Sequence, residues 1–221
     1  ADGYRDSLGK SQVVHLQELG VLDEHTVIVH ANALDEHEEK VVDATACQIV
    51  WCPTAFLSLG IGSDVQFMMS ERYRRGVRVS IGTDGAFDCT PGENMLSAHH
   101  ISQTYNDPIS PEALLEMQTI NGAAAAGLNT ELGSLELGKR ADVVIRSAQV
   151  AEAHPSNNPI HRLALTMGTG SVETVLVNGK IVFRDGHSTQ VDETEVYQTV
   201  SNSVVARSKR LGVEPGYRWP V

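Results

Sequence analysis

At the centre of this sequence lies Arg78-Val79-Ser80-Ile81-Gly82-Thr83-Asp84-Gly85. Val77, Val79 and Ile81 alternate with polar or small residues, and apolar, β-branched side chains at every second position predict a strand. Two glycines then flank a single carboxylate, so the backbone is expected to turn tightly around it. Asp84 is therefore either a turn residue that binds its own backbone or a polar side chain at the mouth of a parallel sheet.

Upstream of this stretch the order strand, loop, helix occurs twice more. Residues 26–30 and 46–52 are predicted strands, and residues 33–44 and 65–75 are predicted helices, with a loop at 54–63. Downstream, helices are predicted at 93–105 and 110–126, the second with Ser110 as N-cap and Pro111 as its first residue. Apolar strands that alternate with helices are typical of a parallel sheet covered on both faces.

The pattern changes at residue 133. Leu135 and Leu137, then residues 141–145, 174–177 and 180–183, are predicted to form short strands with turn residues between them. Asn178-Gly179 between two alternating runs predicts a β-hairpin, and a polar helix is expected at 193–211. These patterns divide the chain into a parallel α/β part at 1–132, a small β module at 133–190, and a helix with its tail at 191–221.

The composition excludes several classes of partner. A net charge of −11 and a pI near 5.2 argue against binding to nucleic acid or to an anionic membrane. The basic runs at 72–75 and 207–210 are predicted to be solvated helix faces, and no apolar run reaches the roughly 18 residues of a membrane span. Cys47, Cys52 and Cys89 fit neither a disulfide framework nor a zinc knuckle, so a cytoplasmic location is expected.

A second candidate residue, His30, follows the first predicted strand. Because parallel strands present the same ends to one face, His30 and Asp84 are expected within about 8 Å of each other. A lone strand-end histidine could simply bond to nearby backbone. As a pair, they suggest a metal-dependent hydrolytic site, in which the carboxylate binds the metal ion and the histidine steers the activated water.

Three further residues are candidates for substrate contact. Trp51 and Phe56 lie near the end of the middle strand, where each side chain either packs in the core or offers a stacking surface to a flat ring. Asp88 lies in the loop after Asp84, from which it could touch a ligand.

Several segments, in this order along the chain, resemble the amidohydrolase superfamily. Two are specific motifs, Gly82-Thr83-Asp84-Gly85 and Gly138-Lys139-Arg140-Ala141-Asp142, and the complete set covers residues 29–31, 51–54, 59–62, 76–85, 119–123, 133–144 and 175–180. The branch that these segments resemble holds S-adenosylhomocysteine/methylthioadenosine, guanine and cytosine deaminases and the triazine chlorohydrolases.

The resemblance implies an α/β fold in which residues 1–132 are the C-terminal part of a (β/α)8 TIM barrel. Residues 133–190 would be part of a composite β-sandwich. Asp84 is implied to be the strand-eight metal ligand that also shuttles a proton. His30 is implied to be the strand-six histidine that orients the attacking water or, in two-metal branches, binds a second ion. The strand-one His-x-His pair and the strand-five histidine are absent, so the chain is expected to be the later part of a longer protein.

The implied activity is hydrolysis by a metal-activated water, with zinc as the expected divalent ion and iron as the other option. The expected reaction is deamination of an amino-substituted N-heterocycle of nucleoside, purine, pyrimidine or triazine type. Two alternatives stay open: a chlorohydrolase acting on a triazine-like ring, and a catalytically silent half-barrel. This chain alone is expected to be inactive and to need a missing N-terminal segment, a second chain or a further copy of itself.

Overall fold

The first sheet of this computed structural model, which describes residues 7–60, 68–85, 93–155 and 157–213, has three parallel strands. They are β1 (Val27–Val29), β2 (Gln48–Trp51) and β3 (Val79–Ile81), with β2 in the middle. Ile49 pairs with Ile28 on one side and with Val79 on the other. All three carboxyl ends therefore lie at the same edge of the sheet.

One helix precedes β1, and further helices follow each of the three strands. In chain order they are α1 (Gln12–Glu18), α2 (Glu36–Thr45), α3 (Pro53–Ser58), α4 (Met69–Arg74), α5 (Asn94–Thr104), α6 (Pro111–Gln118), α7 (Ile120–Ala125) and α8 (Pro159–Leu165). Helix α2 begins with a capping box, in which Asp35 accepts from the amide of Glu38 while the Glu38 carboxylate accepts from the amide of Asp35. Ser110 caps α6 through the amide of Ala113, as the sequence predicts.

The core of this part of the molecule lies between the sheet and its helices. Ile49 and Val79 from the strands and Leu114 and Met117 from α6 have no exposed surface. Strands without a polar face need such cover on both sides. One side-chain amide also ties a helix to the sheet, since Asn121 Nδ2 of α7 donates to the carbonyl of Val79 at 2.9 Å.

The second sheet is antiparallel and consists of β4 (Val143–Arg146), β5 (Val172–Val177), β6 (Lys180–Arg184) and β7 (His187–Ser188), in that order. Asn178 and Gly179 join β5 to β6 with φ values of 49° and 77°, which confirms the predicted hairpin. Helix α9 (Glu193–Leu211) follows, capped by Asp192 at its start and ended by Gly212 at φ 64°.

The described residues divide into two compact units. One takes those within Ala1–Arg140 and Ser147–Ser171, and the other those within Ala141–Arg146 and Val172–Val221. The domain limits inferred from the sequence, at residues 132 and 190, stay a prediction. None of the helices in the described ranges has both the length and the apolar character needed to cross a membrane.

Three element predictions were wrong in part. The helix expected at 110–126 breaks at Thr119, where φ is −108° and ψ is −82°. Gly133 lies close to this break, because a Cβ there would lie 2.9 Å from the Ala123 side chain and 3.0 Å from the Ile120 Cα. Part of the expected loop at 54–63 is helix α3, which Pro53 begins because its fixed φ suits a first helical turn.

Leu135 and Leu137 are also not in strands. Leu135 lies in an irregular segment and Leu137 in a turn, and both side chains are largely exposed. The basic run at 72–75 is not a purely solvated face, because the Arg72 side chain is only 1% exposed. Helix α8 was not foreseen.

Candidate active site

His30 and Asp84 meet at the carboxyl edge of the parallel sheet. His30 directly follows β1, and Asp84 follows β3 after two residues, with β2 between the strands. The Nε2 atom of His30 lies 3.6 Å from Oδ2 of Asp84, which confirms the predicted proximity. The distance exceeds that of a direct hydrogen bond. Both side chains are about one-third to two-fifths exposed, so a small ligand can reach the pair from solvent.

The middle strand fixes both ends of the pair. The amide of His30 donates to the carbonyl of Val50 at 2.8 Å, and the amide of Gly82 donates to the carbonyl of Trp51 at 2.8 Å. These consecutive carbonyls hold the exits of β1 and β3 on opposite sides of β2. Main-chain hydrogen bonds to β2 therefore help to set the spacing between the His30 and Asp84 side chains.

The backbone is left-handed at both candidate residues. His30 has φ 69°, Ala31 has φ 51° and Asp84 has φ 65°. Residues with a Cβ rarely adopt this region, and such residues cluster where a site needs a particular side-chain direction. Two separate strand exits thus hold an unfavourable backbone conformation next to the same space.

Cys52, which the sequence analysis did not propose for the site, lies beside Asp84. Its side chain is buried, and burial raises the pKa of the thiol to about 11. The charge of Asp84 adds to this rise in pKa, while the backbone amide of Asp84 opposes it. At neutral pH the thiol is therefore protonated, and a protonated thiol is a weak nucleophile. In the sequence, the position of Cys52 directly after β2 is the feature that could have suggested it as a site residue.

Gly82 permits the close approach of the exit of β3 to the middle strand β2. A Cβ at this position would lie 2.7 Å from Val50 Cγ1 and 3.4 Å from Cys52 Sγ. No such atom fits without movement of Val50. The first glycine of the Gly82–Gly85 turn is thus required by space, between the middle strand and the exit of β3.

The other sequence candidates are buried or lie outside the described residues. Trp51 is fully buried in the core, and Phe56 is 4% exposed, with its ring 6.1 Å from that of Tyr105 in an edge-to-face arrangement. Phe56 also lines a cleft of about 230 Å³ together with His100 and Tyr105. Asp88 lies outside the described residues. Substrate contact by any of the three stays a prediction.

The pair supplies two of the donors that a divalent metal ion takes. Imidazole nitrogen and carboxylate oxygen both bind zinc, and catalytic zinc sites normally use three protein ligands. Within the described ranges, no cluster of three or more histidine, cysteine, aspartate or glutamate residues could hold an ion. His30 and Asp84 therefore fit part of a coordination shell whose remaining ligands would come from elsewhere.

Comparison with known proteins defines the class. The sequence profile of the amidohydrolase family matches residues 4–182, and the chain belongs to this family. Two curated relatives are a 5-methylthioadenosine/S-adenosylhomocysteine deaminase from Thermoanaerobacter pseudethanolicus, 34% identical over 211 residues, and an S-triazine hydrolase from Gordonia rubripertincta, 29% identical over 218 residues.

These matches cover 92% and 93% of this chain but 47% and 44% of the two relatives. The chain therefore spans a little under half the length of the proteins it matches. A crystal structure of an adenosine deaminase from Xanthomonas campestris with bound zinc has the same fold over 96% of this chain and 48% of its own. The TM-score is 0.86 at 24% sequence identity.

Proposed function

We propose that the protein carrying this chain is a metal-dependent hydrolase that deaminates an amino-substituted N-heterocycle, with His30 and Asp84 in its active site. One observation carries the proposal. In a member of the amidohydrolase family, an imidazole and a carboxylate from two parallel strand ends lie 3.6 Å apart in a solvent-accessible position. The deaminases among its relatives support the reaction class.

Asp84 would hold a divalent ion together with ligands from outside the described residues, and His30 would either orient the attacking water or, in a two-metal site, bind the second ion. Zinc is favoured because the donor types suit it and because the similar adenosine deaminase structure contains zinc; iron remains the alternative. When bound, such an ion lowers the pKa of a water molecule towards about 7.

Asp84 would act as the proton carrier in this reaction. Its carboxylate accepts a proton from the attacking water while the water oxygen bonds to the ring carbon that bears the amino group. The same proton then passes to the amino nitrogen, the carbon–nitrogen bond breaks, and ammonia leaves. Nε2 of His30 lies close enough to Oδ2 of Asp84 to share a hydrogen-bonded water with it, so the imidazole would orient the attacking oxygen.

A second candidate reaction is the hydrolysis of a carbon–chlorine bond on a triazine-like ring. It is favoured by the similarity to an S-triazine hydrolase, and the same attack on a ring carbon serves either leaving group. Chloride leaves without accepting a proton, so the proton on Asp84 would pass to solvent. The two reactions are therefore distinguished by which product, ammonia or chloride, appears with the hydroxylated ring.

We also propose an architecture for the whole protein. The three parallel strands would be strands six to eight of a (β/α)8 barrel within 1–132, and the antiparallel sheet would be part of a composite β-sandwich within 133–190. The 44–48% share of the relatives that this chain covers supports a missing segment, supplied by the same protein or by a second chain. A cytoplasmic location stays a prediction.

Direct assay tests the function. The protein that carries this chain would be purified with zinc, and ammonia and chloride release would be measured with 5-methylthioadenosine, S-adenosylhomocysteine, guanine, cytosine, an amino-triazine and a chloro-triazine. We expect about one metal ion per site and ammonia release from at least one ring. A well-folded protein that binds no divalent metal and releases neither product from any of these rings would contradict the proposal.

A further inference from the structure

The turn that follows β1 needs support from outside itself. His30 and Ala31 are consecutive non-glycine residues with positive φ, a combination that the chain does not adopt without external constraint. Their amides bond to the carbonyls of Val50 and Val29. The carbonyl of Ala31 accepts a hydrogen bond from a different element.

That element is helix α4. Nη1 of Arg72 donates to the carbonyl of Ala31 at 2.7 Å, and the Arg72 side chain is 1% exposed. The other edge of the guanidinium bonds to the carboxylate of Glu39 in α2, with Nε at 3.0 Å from Oε1 and 3.2 Å from Oε2. The guanidinium of Arg72 thus bonds both to the turn after β1 and to α2, the helix that follows this turn, and we call this pair of contacts the clamp.

Arg75 provides an internal comparison. It also bonds to Glu39, with Nη2 at 2.7 Å from Oε2, and it pairs with Asp43 and Glu71, but its contacts do not include Ala31. Its side chain is 29% exposed. Burying a guanidinium costs free energy that an ion pair only partly returns, so the buried Arg72–Glu39 pair is weak evidence of stabilisation. What distinguishes Arg72 from Arg75 is its bond to the turn that aims His30.

We propose that Arg72 is a positioning residue of the active site: through the Ala31 carbonyl it holds the left-handed His30–Ala31 turn, and with it the His30 imidazole, against Asp84. The inference rests on the proposed function of the His30–Asp84 pair. Removing the clamp would let the turn relax towards ordinary φ values and move the imidazole. A displacement of about 1 Å in a catalytic group can cost about 100-fold in rate.

The test compares Arg72→Met, Arg72→Lys and the matched control Arg75→Met in the protein that carries this chain. For Arg72→Met we expect kcat to fall about 10- to 100-fold with KM within about threefold of wild type. A lysine keeps the charge near Glu39 but cannot bond to both Glu39 and the Ala31 carbonyl as the guanidinium does. The kcat of Arg72→Lys should therefore lie between those of wild type and Arg72→Met. Arg75→Met should keep kcat within about twofold.

Crystal structures of the variants give a readout that does not depend on turnover. In Arg72→Met the His30 Nε2–Asp84 Oδ2 distance should depart from 3.6 Å, and Ala31 should leave the left-handed region, whereas Arg75→Met should keep both. A wild type without hydrolytic activity would refute the proposed function, yet this comparison would still decide the role of Arg72.

Three outcomes would overturn the positioning role. The first is equal loss of kcat in Arg72→Met and Arg75→Met, and the second is an unchanged turn in the Arg72→Met crystal structure. The third is a failure of both Arg72 variants to fold, which would make the arginine a requirement of the fold only. If Arg72→Met alone fails to fold, Arg72→Lys decides the question by the same criteria.

Discussion

In the proposed reaction Asp84 both binds a metal ion and carries a proton. An amide in its place could bind the metal ion weakly but could not carry the proton. In the protein that carries this chain, we expect Asp84→Asn to lower kcat by about 10²- to 10⁴-fold with little change in KM. His30→Ala should affect the same step. The measurement is steady-state ammonia release on metal-loaded protein, with metal content determined for each variant.

Asp23→Asn is the matched control, because Asp23 precedes β1 at the amino end of the sheet and is exposed. It should retain the wild-type kcat. An Asp84→Asn variant that raised KM while keeping kcat would assign Asp84 to substrate binding and remove it from proton transfer.

Gly82 gives a second prediction at the level of single residues. An added methyl group would meet Val50 Cγ1 at 2.7 Å, so Gly82→Ala should lower the free energy of unfolding by about 1–3 kcal/mol. Gly170→Ala is the control, since a Cβ there has no atom within 4 Å. Urea unfolding of the three proteins provides the measurement.

Adding Val50→Ala to Gly82→Ala removes the atom that clashes, so the two changes should interact favourably in a double-mutant cycle. Additive losses in the cycle would show that contact with Val50 is not the reason for glycine at this position.

Between elements, a hydrogen bond joins α4 to α6. The hydroxyl of Tyr73 donates to Oε2 of Glu116 at 2.8 Å, and burial together with this bond raises the pKa of Tyr73 to about 12 from 10.0. At pH 8 we expect Tyr73→Phe to lower the free energy of unfolding by about 1 kcal/mol. Tyr197→Phe, on the exposed side of α9, should have no effect.

The pH dependence of this bond follows from the sign of the shift. Because the folded protein holds the phenol proton more tightly than the unfolded chain, the bond contributes fully below pH 10. Its contribution falls as the pH rises from 10 to 12, since only the unfolded state ionises in that interval. The difference in the free energy of unfolding between wild type and Tyr73→Phe should therefore decrease from pH 10 to pH 12. An increase over this range would contradict the stabilising role of the Tyr73–Glu116 hydrogen bond.

Local patterns predicted the elements whose determinants are local. The Asn178-Gly179 hairpin and helix α9 were foreseen, because positive φ at two turn residues and capping at Asp192 and Gly212 depend on neighbours in sequence. The break at Thr119 was not foreseen, and the residue that lies against it in the fold, Gly133, is fourteen residues away in sequence. Helix propensity carries no information about such a contact.

In the candidate site, too, the sequence predicted what strand order determines and missed what depends on contacts between distant residues. His30 and Asp84 could be paired from sequence because equivalent ends of parallel strands meet at one edge. Arg72 could not, since an arginine within a basic run has no distinguishing signal, and Cys52 had only its position directly after the middle strand. Only the folded chain shows that Arg72 is buried against a carbonyl beside His30.

At the scale of the molecule, each outer strand of the parallel sheet has a partner strand on one side only, within the described residues. Within the described residues, β1 and β3 each pair only with β2. Val29 at the end of β1 is 53% exposed, although the strand is apolar. Unpaired, apolar strand edges act as templates for association with other chains. This arrangement is unfavourable for an isolated monomer.

We therefore expect residues 1–221, expressed alone, to associate and to bind less than one metal ion per chain, with no deaminase activity. Mass by light scattering, metal content and ammonia release test this expectation.

Val29→Lys should raise the fraction of monomer, because it places a charge at the unpaired edge of β1. Val191→Lys, which is 55% exposed and lies outside both sheets, should not. Since the described residues supply two donors where a catalytic zinc site normally takes three, neither variant should gain metal. A stable, active monomer with stoichiometric metal would show that this chain completes its own site.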